Sequence, residues 1–270
     1  MVSAEVDIAN LALQFLGEPV ITTMTEVSRD AEICNQLYAQ NRDYCLMLTP
    51  WACVTHRAVL ERAGKVAISG ATAADPVVVT CTGHVFVANE LVTIESVTGM
   101  TQLNDNRYRI YSYTSTSLTL YDTDGTSTAG TAFTAWVSGG YVYRDSGQDW
   151  SYVYDLPSTA LFVQGVLDSE GGEDDEYIWR KERQLLYCNV VNAGVKYLKK
   201  ETDPSLYESD IVELMATRLA WLVSMRIHSD KRLRDDVYRE HNNALARARL
   251  LNASGKHDGD PPETSWTEVW

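Results

Sequence analysis

Apolar residues open the chain at the spacing of one helical face: Ile8, Leu11, Ala12, Phe15 and Leu16. This predicts a helix from Val6 to Leu16, ended by Gly17 and kept from continuing by Pro19. After a loop from Val20 to Val27, Ser28 is placed as an N-cap, with Asp30 and Glu32 in the first turn to meet the helix dipole. The second helix should run to about Thr49 on a stripe of Ala31, Cys34, Leu37, Tyr38, Tyr44, Cys45 and Leu48, closed by Pro50.

From Trp51 the period shortens. Val54, His56 and Ala58 alternate with Thr55, Arg57 and Val59 as in a strand. Gly64 to Asp75 is small and flexible in composition and reads as a linker. Pro76 to about Tyr143 is rich in Val, Thr and Tyr. Strands are expected at Val77–Thr80, Leu91–Ile94, Tyr108–Tyr111 and Ser117–Leu120, with turns at Asn104-Asp105-Asn106 and Asp122-Thr123-Asp124-Gly125. Such spacing predicts a small antiparallel barrel or sandwich. Further strands are expected at Trp150–Tyr154, Leu161–Leu167 and Gly194–Lys199, with a hairpin of Tyr177–Arg180 and Gln184–Tyr187. The strands flanking the β-rich segment should pair into one small sheet, with that segment looping out as an insert.

The last third returns to helical spacing. From Asp210 to about Ser229, one stripe holds Val212, Met215, Leu219, Leu222 and Val223, and a second holds Ile211, Leu214, Trp221 and Met225. A helix apolar on two faces is either central to a bundle or shared with another subunit. Lys231 to Ala253 is the fourth helix, with Leu233, Val237, Ala244, Leu245 and Ala248 inward and Arg247 and Arg249 in its last turns. The remaining tail, from Lys256, holds Pro261 and Pro262 and also Trp266 and Trp270. Two indoles that a short proline-containing tail cannot bury locally point to docking on something else.

The expected class is therefore α+β: about four helices in a bundle with a small antiparallel sheet, and an inserted all-β barrel or sandwich-like domain. Residues 1–65 and 142–255 would form the core, 66–141 the insert and 256–270 the docking tail.

Charge and cysteine content narrow the function. The 270 residues carry 23 Lys and Arg against 37 Asp and Glu, a net charge of −14. A chain this acidic does not grip duplex DNA by neutralising phosphates, nor anionic lipid through basic residues. No apolar run approaches the length of a membrane span, and the first residues lack the basic start of a secretory signal, so a soluble chain used without export is expected. Cys34, Cys45, Cys53, Cys81 and Cys188 are odd in number and widely spaced, which favours reduced, buried thiols over zinc or redox motifs.

Catalytic signals are sparse. No nucleophile elbow, zincin helix, phosphate loop or dinucleotide fingerprint occurs. His56, His84, His228, His241 and His257 are scattered without ligand spacing. Asp122 to Gly125 opens like a calcium loop but lacks the later ligands, so a hairpin turn is expected. The run Gly171 to Glu176 is expected to be a solvated acidic loop. In the insert, Tyr108, Tyr111, Tyr113, Tyr121 and Trp136 offer a candidate binding face for carbohydrate or protein, though aromatic residues are also ordinary in strands. The expectation is a non-enzyme with no cofactor and no metal.

Several segments resemble, in order, one family. Ile8-Ala9-Asn10-Leu11-Ala12-Leu13 and Leu16-Gly17-Glu18-Pro19-Val20-Ile21 resemble its opening helix and Gly-Glu-Pro turn. Ala31 to Leu48 with Pro50-Trp51 resembles its second helix, and Thr55-His56-Arg57-Ala58 the strand that follows. Tyr152-Val153-Tyr154-Asp155-Leu156-Pro157 is similar to its Tyr-Asp-Leu-Pro strand, and Lys199 to Tyr207 with Thr202-Asp203-Pro204 to the step before its third helix. The family is the head-to-tail adaptor of short-tailed bacteriophages, the tail tubular protein A-like or gatekeeper-type connector. The resemblance covers about Met1 to Lys65 and Gly147 to Gly255. It departs after Leu156-Pro157, where Ser158-Thr159-Ala160 replaces the family's usual acidic and basic pair. The insert separately resembles a small β domain of phage tail proteins, similar to the first catalytic cysteine half-domain of ubiquitin-activating enzymes. Gly99-Met100-Thr101-Gln102-Leu103-Asn104 is its most recognisable stretch.

The resemblance implies a virion protein of the neck, assembled in the host cytoplasm. It implies a homo-oligomeric ring of twelve copies between the portal protein and the tail nozzle protein, with attachment of tail fibres or spikes. Genomic DNA would pass through its channel without specific binding, and an acidic lining would suit that passage. On this reading Trp266, Trp270, Pro261 and Pro262 dock on the portal or a neighbour, and Ile211, Leu214, Trp221 and Met225 belong to the subunit interface. The competing reading is a carbohydrate-binding or wall-degrading tail component acting through the β insert.

Overall fold

The computed structural model describes residues 4–147, 149–173, 177–227 and 230–255. The tail with Pro261, Pro262, Trp266 and Trp270, and also His228 and His257, lie outside the described residues. The described chain is mixed α+β, with four α-helices and antiparallel sheets. It divides into two compact units, one from Met1–His56 and Leu198–Trp270 and the other from Arg57–Tyr197.

The helical unit starts with α1 (Glu5–Leu16) and α2 (Arg29–Met47). Helix α1 ends where Gly17 adopts a left-handed φ of 73°, a conformation that costs glycine little. Asn10 then holds the following turn in place. Its Nδ2 donates to the Ile21 carbonyl at 3.0 Å, and its Oδ1 accepts from the Ile21 amide at 2.8 Å. The inward face of α1 is Ile8, Ala9, Ala12, Leu13 and Leu16; Phe15, expected inward, is exposed. Ser28 caps α2, its Oγ accepting from the Ala31 amide at 3.2 Å. Pro50 stops the helix, and buried Trp51 donates its indole N–H to the Cys45 carbonyl at 2.9 Å, satisfying one of the helix's terminal acceptors.

The Arg57–Tyr197 unit holds most of the strands, entered through β1 (Thr55–Val59). Strands β2 (Val66–Ala67), β3 (Gly70–Ala71), β4 (Val78–Thr80), β5 (Leu91–Thr98), β6 (Asn106–Tyr113), β7 (Ser117–Asp122) and β8 (Ser138–Arg144) form one sheet in the order β2-β8-β5-β6-β7-β4-β3. Every neighbouring pair is antiparallel. The two edge strands, β2 and β3, are separated only by Ile68 and Ser69. The Ile68 amide donates to Gly140 beside one edge, and the Ser69 amide to Thr80 beside the other. A segment this short reaches both edges only if the sheet curls, so the seven strands form a half-barrel. The expected linker from Gly64 to Asp75 is thus part of the sheet. Its small residues, read as flexible, suit the close backbone approach at this seam. Inside lie Val79, Phe86, Val92, Ile94, Met100, Leu103, Ile110, Leu118, Leu120 and Val142.

The remaining strands are β9 (Tyr152–Asp155), β10 (Ala160–Leu167), β11 (Trp179–Glu182), β12 (Leu185–Cys188) and β13 (Gly194–Lys199). They form two three-stranded sheets, β1-β13-β10 and β11-β12-β9, where one sheet was expected. Pro157, which has no N–H to donate, stands between β9 and β10, and the two strands pair with different partners, β12 and β13. The β11–β12 hairpin pairs Glu182 with Leu185, and Arg183 takes a positive φ in its turn. Among the two sheets, Leu60, Tyr154, Leu156, Val163, Val166, Leu186 and Val195 share one apolar cluster.

The chain returns to the helical unit at Leu198. Buried Glu201 accepts from the Thr202 and Asp203 amides and from Lys199, and these bonds hold its carboxyl below the usual range, the Lys199 contact most of all. Asp203 then accepts from the Ser205 amide at 2.9 Å. Helix α3 (Ser209–Ile227) follows and packs against α1, α2 and α4 (Lys231–Gly255). Residues of both its apolar stripes are buried, as expected for a helix with three packed neighbours. Asn41 of α2 reaches into this packing, donating to the Met215 carbonyl and accepting from Arg218, each at 3.0 Å.

Candidate functional site

The fourteen-residue span from Leu214 to Ile227 passes from closed core to open surface. Ile211 and Leu214, expected at a subunit interface, are fully buried within the chain's own helical unit and present nothing to a second copy. That burial accounts for their apolar character. Trp221 and Met225, one turn apart on α3, are different: Trp221 is half-buried and Met225 is exposed. Trp221 stacks at a tilt on exposed Tyr238 of α4, ring centres 5.3 Å apart. Tyr238 lies off the inward stripe of α4, which is Val237, His241, Ala244, Ala248 and Asn252, so periodicity gave no reason to select it.

Several cations of the helical unit have partners. Arg226 donates to Gln36, and Arg29 donates to the Arg226 carbonyl. Arg218 lies 3.7 Å from the ring centre of Tyr44. Arg247 bridges Glu213 of α3 and Glu240 of α4, which raises its own pKa. Further along α4, Leu250 and Leu251 are exposed, while Asn252 turns inward to the Pro50 carbonyl and the Ala52 amide. Trp221, Tyr238 and Met225 thus form an open aromatic and thioether group, and Leu250 and Leu251 lie exposed about three turns further along α4.

The half-barrel carries a second aromatic surface. Tyr111 and Tyr121 stack outward at 4.2 Å with planes 7° apart. Tyr113 is exposed and meets His84 edge-on at 6.2 Å. Tyr108 does not belong to this face. It alternates inward with Ile110 and is buried in the barrel core. Trp136 packs partly against that core and donates its indole N–H to the Gly139 carbonyl at 3.2 Å.

Reactive groups are muted. Burial pushes Cys34, Cys53 and Cys81 up to about 11 and Cys45 to about 12, and it also raises Cys188, so these thiols hold their protons at neutral pH. Among the described residues, no three His, Cys, Asp or Glu side chains are grouped to hold a metal ion. Asp124 accepts from the Thr126 amide and hydroxyl and Asp122 from the Thr128 hydroxyl, a turn closed on itself. Glu173, expected in a self-repelling loop, instead joins Lys196 and Arg57, and these contacts lower its pKa, the Lys196 hydrogen bond first. Among the described residues, no helix is long and apolar enough to cross a membrane.

No protein-family model and no curated protein sequence matches this chain.

Proposed function

We propose that this chain is a structural, non-enzymatic head-to-tail adaptor of a phage virion. Its four helices act as the bundle of the adaptor core. Copies close into a ring, twelve on the family's pattern, beneath the portal and above the tail nozzle, where the ring extends the DNA channel and carries fibres or spikes. Closure by a head-to-tail contact needs two different surfaces on each copy.

The observation that carries this reading is the open group of Trp221, Tyr238 and Met225 on helices whose inward faces are filled by the chain's own core. A half-exposed indole and phenol held in place at low entropy cost suit a buried contact with a neighbour. Support also comes from the motif residues of the resemblance, since Asn10, Gly17, Trp51, Glu201 and Asp203 each hold a turn or helix end of the helical unit. The acidic balance suits passage of DNA without adhesion.

The test is the mass of the complex formed by the purified chain with its cognate portal protein. A ring-sized assembly on the portal supports the reading, and a chain that stays monomeric beside the portal contradicts it. The outward Tyr111–Tyr121 pair favours one second reading, a carbohydrate-binding tail component. Retention on host surface polysaccharide, lost with Tyr111→Ala, would favour that instead.

A further inference from the structure

We propose that the cleft between the end of β8 and the β11–β12 hairpin receives a basic side chain, arginine or lysine, from a partner protein. The cleft has a volume of about 480 Å³ and opens to solvent. Its acidic lining is Glu90, Asp145, Asp149 and Glu182, and its cations are Arg144 and Arg180. Both cations are already engaged. Arg144 meets Glu90 at 2.8 Å, and Arg180 meets Glu182 at 3.0 Å.

Asp145 is the key group. Its side chain is only 2% exposed. Oδ1 accepts from Arg107 at 2.9 Å and from the Gly147 amide at 3.1 Å. Oδ2 is buried and has no hydrogen-bond partner. A buried carboxylate oxygen without a donor is a standing cost that an incoming N–H removes. Because Asp145 lines the cleft, that donor enters from the cleft side.

Charge and shape select the donor. Even with Arg107 counted, four carboxylates face three guanidiniums, so the balance favours a cation over a neutral hydroxyl. Trp150 and Tyr187 also line the cleft and supply flat faces on which a guanidinium stacks. A long side chain projecting from a folded surface fits an open cleft that a small free cation would leave mostly empty. This assignment stands apart from the ring reading, since it uses neither α3 nor α4.

The test is isothermal titration of the full chain with a tetra-arginine peptide at physiological salt. The comparison variants are Asp145→Asn, Trp150→Leu and Glu32→Gln, the last making the same charge change on exposed α2. Saturable binding that weakens about tenfold or more in the first two and is unchanged in the third supports the site. Should Asp145→Asn fail to melt like the parent, Trp150→Leu decides alone. Absence of binding, equal weakening in all three variants, or tighter binding of a chito-oligosaccharide than of the peptide overturns it.

Discussion

The ring of Trp221 rests 5.3 Å from that of Tyr238, so the outer edges of α3 and α4 are joined by two aromatic side chains that remain partly open. Within the same helix, Leu214 is completely enclosed. One helix thus carries residues of the same apolar type with opposite roles. Met225→Ala should abolish or sharply weaken association with copies or portal while shifting stability little, and Trp221→Ala should weaken it too, with some loss of stability from the lost Tyr238 contact. Leu214→Ala should cost about 2–5 kcal/mol of stability through lost burial and a cavity. Denaturant unfolding paired with sedimentation of the same variants separates the two effects.

His241 provides a pH prediction. It is buried on the inward face of α4, its Nδ1 has no hydrogen-bond partner, and burial, aided by Arg218, holds its pKa below the ordinary 6.5. A backbone hydrogen bond with Leu214 opposes this without reversing it. The unfolded chain then binds the proton more readily than the folded one, so the contribution is full above pH 6.5 and declines as pH falls toward the lower folded value. Melting temperature should drop between pH 6.5 and the region where carboxylates titrate, and His241→Gln should flatten that slope. A parent and variant with identical slopes would contradict it.

The stretch Gly99 to Asn104 connects β5 to β6. Met100 and Leu103 are fully buried, and the Asn104 side chain makes two hydrogen bonds to Val97. Gly99 has φ +92°, and a Cβ there would lie 2.3 Å from the Ala135 carbonyl oxygen. Gly99→Ala combines a left-handed strain with a backbone clash and should destabilise the Arg57–Tyr197 unit by more than about 1–3 kcal/mol. Thermal unfolding of the variant checks this.

At the start of α2 the expectation is smaller. Ser28→Ala removes the hydrogen bond to the Ala31 amide and should cost about 1 kcal/mol, read as a shifted denaturant midpoint at unchanged slope.

These contrasts mark what the sequence could and could not tell. Helix limits were legible because Gly17, Ser28 and Pro50 act through local geometry. The strands of the half-barrel were legible from β-branched and aromatic runs. Its closure was not, since Ile68 and Ser69 reach opposite edges by hydrogen bonds of their backbone, which leave no side-chain pattern. The single small sheet expected around the insert is two, since β9 pairs with β12 and β10 with β13, a choice of partner that alternation along a strand does not carry. At the candidate surface, two stripes on α3 were correctly apolar, but periodicity cannot say which part of a stripe its own chain covers. Ile211 and Leu214 were therefore misplaced, and Tyr238, off every stripe, was missed. Tyr108 and Tyr111 differ by three positions and lie on opposite sides of one strand, a distinction that strand parity carries and composition does not.

The most direct measurement is an image of the virion neck at a resolution that places side chains. The adaptor account predicts a ring of this chain directly beneath the portal, with Trp221 and Tyr238 buried against the adjacent copy or the portal itself. Density for this chain elsewhere in the particle, or a ring in which both rings face open solvent, would contradict it.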